Sequence, residues 1–495
     1  MSTRIADSAL RGDSQPALHR GPVGFRRIFP LAVPLGLGAL FVLAQWQGII
    51  PQLSTETGLV TLALVSYLAA SVLSVMFVIQ REPLLERVTI VMAAVGLGAN
   101  VAAWGTRGLI AQHYPLTNLY DTALALGVTT AAATLVMAAT YRHRFVSTIT
   151  LPVAAMFLIL ASLYGNQLTE MPPVLVSYWR PIHVSIAMTA YGVCALTFAL
   201  GLLYLLKDGM KTETLGLFVM LVPLLTYVFL SGGRILTDGA FEISLLIHGS
   251  RIPVNEANTE FLRATIPYVG QVFRLALVGS LAVILCFAGY LIAQRETLKA
   301  VGHWLVRGLL IIQAAGLGLL FYEMKVASPV DLIVPGQRAL IPAAWLNQFG
   351  PQLELHYRGN PVGIACIVVA VAVTAFLAFF AWKRERILEA VPSLSTLDDL
   401  TYKAVSVAFP LLVLMTITGA VWANESWGRY WGWDPKEMWA FITCLIYAVF
   451  LHTRIVHGWK GRKTALFAVV GFISVIFTYL GVSFILPGLH SYATL

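Results

Sequence analysis

Between Val421 and Phe441 the chain reads VWANESWGRYWGWDPKEMWAF. Five tryptophans (Trp422, Trp427, Trp431, Trp433, Trp439) fall within eighteen residues, interleaved with Glu425, Arg429, Asp434, Lys436 and Glu437. Indole rings cover a large apolar area and keep one polar edge. On a helical turn Trp427 and Trp431, four apart, would share a face. On an extended segment Trp431 and Trp433, two apart, would do the same. The expectation is a flat aromatic surface with charges at its rim. That suits a large planar ligand carrying some charge, such as a haem, a quinone or an aromatic-headed lipid. Asp434-Pro435-Lys436-Glu437 has the order of a helix start, with Asp as N-cap, Pro at N1 and Glu at N3.

Ten histidines are the other candidates for chemistry. His183 follows PPVLVSYWRPI at the head of one apolar run, and His490 sits in PGLHSYATL just past the last run. Both are expected at the level of the tryptophan stretch. One imidazole on each side of a macrocycle gives six-coordinate haem iron. The competing reading for each alone is an interfacial histidine bonded to backbone. His452 lies well inside an apolar run, about 21 Å below Met438 by helical rise. An ionisable group there marks a functional position, unless, beside Arg454, it is an interfacial side chain reaching for water. Asn118 and Asp121, in AQHYPLTNLYD, are placed to cap a helix and to occupy its first turn. His19, His113, His143, His248, His303 and His356 receive no role, and His457 reads as ordinary flanking polarity.

The elements that position these residues follow from composition. The 495-residue chain is 58% hydrophobic and 12% charged, with mean hydropathy +0.78. That charged share is about half of a soluble domain's. The apolar residues gather in thirteen runs long enough for bilayer helices, so the expected fold is an all-α polytopic transmembrane bundle. An odd number of spans puts the termini on opposite sides. With the N-terminus inside, 22 of the 33 Lys and Arg fall on inner segments, mostly short ones. This excess predicts N-terminus inside, C-terminus outside, with the tryptophan stretch on the outer face. The +9 net charge is then mostly an orientation signal, and no basic run resembles a nucleic-acid patch. The four cysteines all lie within spans and form no Cys-x-x-Cys pair, so neither a disulfide frame nor a thiol relay is expected. The chain also lacks Cys-x-x-Cys-His and carries no covalent haem motif of its own.

WGRYWGWDPKEMWAF, YAVFLHTR and GLHSYA, with PLTNLYD and SYWRPIHVS, resemble the cytochrome c assembly proteins, the haem-handling family with a tryptophan-rich WWD domain. The similarity is nearest to the CcsA/ResC type of system II cytochrome c biogenesis. It covers roughly residues 58–206 and 396–495. The resemblance implies that His183 and His490 are axial ligands of a non-covalent haem b. It implies that Trp427, Trp431, Trp433 and Asp434 form the platform, and that His452 belongs to an earlier haem site within the membrane. It further implies a bacterial inner-membrane protein with its haem site on the periplasmic side. The expected partners are a ResB/CcsB-like membrane protein and an apocytochrome c bearing a CxxCH motif. The chain would be the haem-delivery component of a haem-attaching complex.

The expected organisation is an N-terminal tail and anchor span (1–57), a first part of the core (58–206), an insertion of four spans with two long outer loops (207–403), and the WWD core (404–495). The insertion departs from the family type, as does Asp121 where glutamate is usual. The long loops mix apolar residues with Pro and Asn, so they are expected to fold against a surface and to serve docking. A b-type electron-transfer cytochrome and a lipid or polysaccharide transporter remain alternatives. The first would need paired histidines at two depths, the second a path of intramembrane charge.

Overall fold

The computed structural model describes residues 25–49, 55–141, 144–164, 168, 173, 176–231, 241–247, 250–254, 261–355, 361–486 and 488. It is an all-α membrane bundle. The helices relevant to the site are α1 (Phe25–Trp46), α2 (Glu56–Gln80), α3 (Pro83–Ala111), α4 (Leu119–Tyr141), α5 (Ser147–Tyr164), α6 (Trp179–Lys207) and α7 (Thr212–Ser231). They continue with α8 (Val269–Ala293), α9 (Glu296–Val326), α10 (Pro361–Ala390), α11 (Leu394–Trp427), α12 (Pro435–Val456) and α13 (Arg462–Ile476). Ten helices among the described residues are long and apolar enough to cross a bilayer, and three shorter apolar ones accompany them. Short turns join most of them, so neighbours run antiparallel.

Start and stop signals are local. Ser393 caps α11, its hydroxyl accepting from the Thr396 amide, and Gly428 ends the helix at φ +70°. Only a residue without a side chain adopts that conformation freely. Asn118 accepts from the Asp121 amide through its side chain and so opens α4 as expected. Some helices extend beyond their apolar runs. α9 begins at Glu296, about three turns before its continuous apolar run, because Lys299, His303 and Arg307 occupy one side of an amphipathic extension.

α6 is the most buried of the long helices and lies between α4, α11 and α13. Gly201 permits its close approach to α13, since a Cβ there would stand 2.8 Å from the Ala465 carbonyl oxygen. Side chains of α6, α11, α12 and α13 share one apolar core, including Tyr191, Cys194, Leu412, Met415, Tyr447 and Phe472. A second core joins α1 to α5, and a third runs through α7 to α10.

The long loops carry structure that the helical reading omitted. Phe241–Ile247, Ser250–Arg251, Arg263–Ile266 and Leu353–Leu355 form a small antiparallel sheet in which the first strand pairs with all three others. Phe241, Ile243 and Leu245 alternate into the core with Ala264, Ile266 and Leu353. The loops therefore do fold against a surface, and part of that surface is each other.

At the end of the bundle that carries the tryptophan stretch, a buried polar cluster ties three helices. The Arg107 guanidinium of α3 lies 2.9 Å from the Asp121 carboxylate of α4 and 3.9 Å from Glu56 of α2. The Tyr120 hydroxyl donates to Glu56 at 2.7 Å, and the Thr117 amide donates to Asp121 at 2.9 Å. Each side chain is nearly fully buried. A lone cation there would be very costly, so the carboxylates are required partners.

Candidate functional site

A cavity opens between the head of α6, the end of α11, the start of α12 and the 115–122 segment. Five stretches distant in sequence meet in its wall: Leu116 to Thr122, Arg180 to Tyr191, Met415 to Ala423, Tyr430 to Ala440, and Thr478 with Tyr479. The Arg107–Asp121 pair holds the first of these in place. Arg180, buried, fastens the second to it by donating to the Leu116 carbonyl at 3.0 Å.

His183 is the cavity's histidine. Its Nδ1 lies 2.8 Å from the Met415 carbonyl oxygen. A carbonyl can only accept, so Nδ1 carries the proton and the lone pair of the neutral ring sits on Nε2. A fixed tautomer of this kind is how proteins prepare a metal-binding imidazole. The ring also packs on the Trp422 indole, 5.8 Å between centroids and tilted by 33°. Gly419 makes this seat possible. A Cβ there would stand 2.7 Å from Cε1 and 2.9 Å from Nδ1 of His183. Neither Gly419 nor the Met415 carbonyl was singled out by sequence. Nothing in a TITGAV run distinguishes a glycine that seats a ring from one that merely lines a helix.

The tryptophans do not form one flat floor. Trp427 is the last residue of α11, and the chain reverses at Gly428, so Trp427 and Trp431 do not share a helical turn. Trp427 packs beside Trp422 at 5.7 Å. Trp431 lines the cavity, while Trp433 stands perpendicular to it at 6.0 Å. Trp433 has φ +56° and is 69% exposed, an unusual conformation for a bulky side chain. Strand-like alternation between Trp431 and Trp433 is therefore absent as well. Trp439 turns away to pack on Phe477 at 4.2 Å.

Asp434 is buried and caps α12. Its carboxylate accepts from the Lys436 amide at 3.0 Å. Glu437 completes a capping box, accepting from the amides of Asp434 at 3.2 Å and Gly432 at 2.8 Å. The acidic residues of the stretch thus shape the turn. Lys436 lines the cavity and donates to the Ser483 hydroxyl at 3.2 Å, whereas Arg429 is exposed and lies over Gly432.

His490 lies outside the described residues. Two positions earlier, Gly488 packs so closely on Asp434 that a Cβ would meet its carboxylate. His452 is not in this cavity. It is exposed in the last turns of α12, on the face that carries Phe441, Leu445 and Val449, and its ring is 5.5 Å from that of His457.

A family model described as cytochrome C assembly protein matches residues 116–242 and 361–490, over half of the chain. The chain belongs to this family. The two matched segments contain the whole cavity wall. The unmatched stretch between them holds most of the sheet together with α8 and α9. Curated relatives named cytochrome c biogenesis protein CcsA make the type clear. The protein of Gloeobacter violaceus is 57% identical over 100 residues, 20% of this chain and 30% of its own length. That of Chlamydomonas reinhardtii is 40% identical over 171 residues, 34% of this chain and 44% of its own. That of Prochlorococcus marinus is 59% identical over 96 residues, 19% and 31% respectively. The chain therefore matches less than half the length of these relatives.

Proposed function

We propose that this chain acts in cytochrome c maturation by holding haem in the cavity beside His183 and presenting it for covalent attachment to an apocytochrome c. One observation carries the reading: an imidazole with its proton committed to the Met415 carbonyl faces a cavity built from the segments that the family match covers. The cavity wall suits a haem. Gly419, Ala420 and Ala423 leave room on α11, Trp431 offers an aromatic wall, and Arg180 and Lys436 put cationic side chains where propionates need them.

The enclosed part measures about 150 Å³, less than the ~300 Å³ at which ligand pockets usually begin. A haem would therefore be held by one edge and left open along the other, as a group to be handed on must be. His490 would be the second histidine to hold the haem in this reading; Gly488, two positions earlier, approaches Asp434. Trp427 and Asp434 act indirectly, the first by backing Trp422 and the second by fixing the turn; exposed Trp433 covers the open edge. The iron and the vinyl groups supply the chemistry when haem b is bound. This chain's residues orient it and exclude water.

His452 would contact haem at a separate place in the membrane. It lies on an exposed helix face, so a ResB/CcsB-like partner would have to cover it. The distribution of Lys and Arg assigns the haem cavity to the outer side of the membrane; that this is the periplasmic side of a bacterial inner membrane is what the family resemblance implies.

The test is a visible spectrum of the purified protein, followed by incubation with an apocytochrome c containing CxxCH. Bound haem that His183→Ala or His490→Ala lowers, and that added imidazole restores, is the expected result. Unchanged haem in both variants removes the site assignment. Haem without covalent transfer favours a b-type electron carrier, and a protein free of haem favours a transporter.

A further inference from the structure

A second pocket lies at the opposite end of the bundle, where the α6–α7 and α8–α9 turns meet the end of α10. Its volume is about 730 Å³, and its wall includes Lys211, Lys299, Lys383, Arg384 and Arg386 against two carboxylates, Glu213 and Glu385. One of those carboxylates is already engaged, since Glu213 lies 2.9 Å from His303 Nε2. Glu385 is exposed at the rim. Lys299 is also paired with Glu296, at 3.3 Å; the balance of charge is still positive, and no part of the haem reading uses it.

The cations are arranged rather than scattered. Lys211, in the α6–α7 turn, and Lys299, on α9, both stand over the Tyr290 ring, at 5.1 and 5.4 Å from its centroid. A non-helical residue, Lys383, interrupts α10 at this point (φ −112°, ψ 17°), and its ammonium lies 3.8 Å from the Trp382 ring centroid. Arg384 donates to the Met210 carbonyl at 3.2 Å, while its Nε is buried with no hydrogen-bond partner among the described residues. A buried donor of a charged group without an acceptor is costly unless something fills the place.

The level of the pocket relative to a bilayer is also marked. Trp382, in the pocket wall, is 68% exposed, and Trp304, one position past His303 on α9, is 69% exposed. Ile292, at the end of α8, is 84% exposed. Exposed tryptophans on membrane helices sit at the headgroup level. The basic pocket is thus at the depth where lipid phosphates lie, and a basic pocket between helices on the positively charged side is suited to acidic lipid headgroups.

We propose that this pocket binds a phosphate group, carried on an acidic phospholipid headgroup. Lys211, Lys299 and Arg386 meet the phosphate, Arg384 Nε supplies a directed donor, and Trp382 and Tyr290 pack against the glycerol region. The site would seat the α7–α10 unit, which holds the unmatched stretch, in the inner leaflet.

The experiment uses the full-length protein in nanodiscs of phosphatidylcholine containing a minor fraction of phosphatidylglycerol. Lipid retained after transfer to detergent is measured by native mass spectrometry. Wild type should retain phosphatidylglycerol in preference to phosphatidylcholine. The Lys211→Ala, Lys299→Ala, Arg386→Ala triple variant should lose most of that preference, roughly tenfold or more for the loss of a few such charges. These three side chains are exposed or partly so, which favours a folded variant, and retention of the His183-dependent haem spectrum verifies it. The control removes Lys460, in the α12–α13 turn, with Arg462 and Lys463 at the start of α13, all at the same end, and should leave lipid retention unchanged. Equal phosphatidylglycerol retention in wild type and pocket variant overturns the proposal. Millimolar inorganic phosphate protecting the protein from heat through the same three residues, with no lipid preference, overturns the lipid assignment in favour of a soluble phosphate.

Discussion

Gly419→Ala isolates the seat of His183 from everything else in the cavity. The new methyl would stand 2.7 Å from Cε1, where 3.4 Å is the near limit of ordinary contact. The imidazole must then retreat by roughly 0.7 Å, because the packed interior offers no slack on that side. Along the line of its hydrogen bond, such a retreat takes Nδ1 from 2.8 Å to about 3.5 Å from the Met415 oxygen, beyond useful bonding. The ring loses its tautomer lock and its orientation. Losses of this kind at metal-binding histidines weaken metal affinity by about 10–100-fold. The helix itself should not suffer, since alanine is favoured over glycine in a helix interior by about 1 kcal/mol. Haem content by pyridine haemochrome and affinity by titration are the measurements. Gly308→Ala is the control, because a Cβ there meets nothing within 4 Å. In a His183→Ala background, Gly419→Ala should add no further loss, as expected of two changes acting through one ring. If Gly419→Ala binds haem as wild type does, the ring is not held as described and the ligand assignment to His183 loses its structural basis.

Further outcomes follow from the same geometry. Asp121→Ala takes from buried Arg107 its carboxylate partner at 2.9 Å, and breaking a buried pair costs about 3–5 kcal/mol; the melting temperature in detergent should fall steeply, whereas Asp121→Glu should recover much of it. Asp434→Ala removes the α12 cap, worth about 1 kcal/mol, and should lower haem content by loosening the turn, while Asp434→Asn, an equally good cap, should retain most of both. His452→Ala should leave the haem spectrum of the isolated chain unchanged and reduce cytochrome c maturation only when the membrane partner is present; a lost spectrum in the isolated chain would mean that α12 binds haem unaided.

The helices, their alternation and the capped start of α12 were legible because each is a local property. An apolar run reports a span, and Asp-Pro-Lys-Glu reports a helix N-terminus whatever lies around it. The small sheet was not, although FEISLLI alternates cleanly. Its partners are two strands close by and a third about a hundred residues on, and alternation alone does not name a partner. The aromatic floor failed for a related reason. Trp427, Trp431 and Trp433 are near in sequence, but Gly428 at φ +70° and Trp433 at φ +56° turn the backbone between them. Spacing rules hold only within one regular element.

The contents of the cavity wall show where chemistry is hidden from a linear reading. Candidate ligands announce themselves by residue type, so His183 stands out as a candidate in the sequence alone. What prepares it does not. A backbone carbonyl at Met415 has no sequence signature, and Gly419 matters only because α6 places a ring over it. Asp434 shows the converse: a charged residue in a conspicuous motif reads as part of a binding surface, yet its carboxylate is spent on the first turn of α12. Its influence on the cavity passes through the backbone it fixes, including the approach of Gly488. A site assembled this way depends on helix positions more than on side-chain identity. Substitutions that shift α11 against α6 should therefore disturb haem binding more than removal of any single tryptophan from the loop. Trp433→Ala, which deletes a ring 69% exposed to solvent, should be the mildest of the tryptophan changes, and Trp422→Ala, which withdraws the ring packed on His183, the most severe.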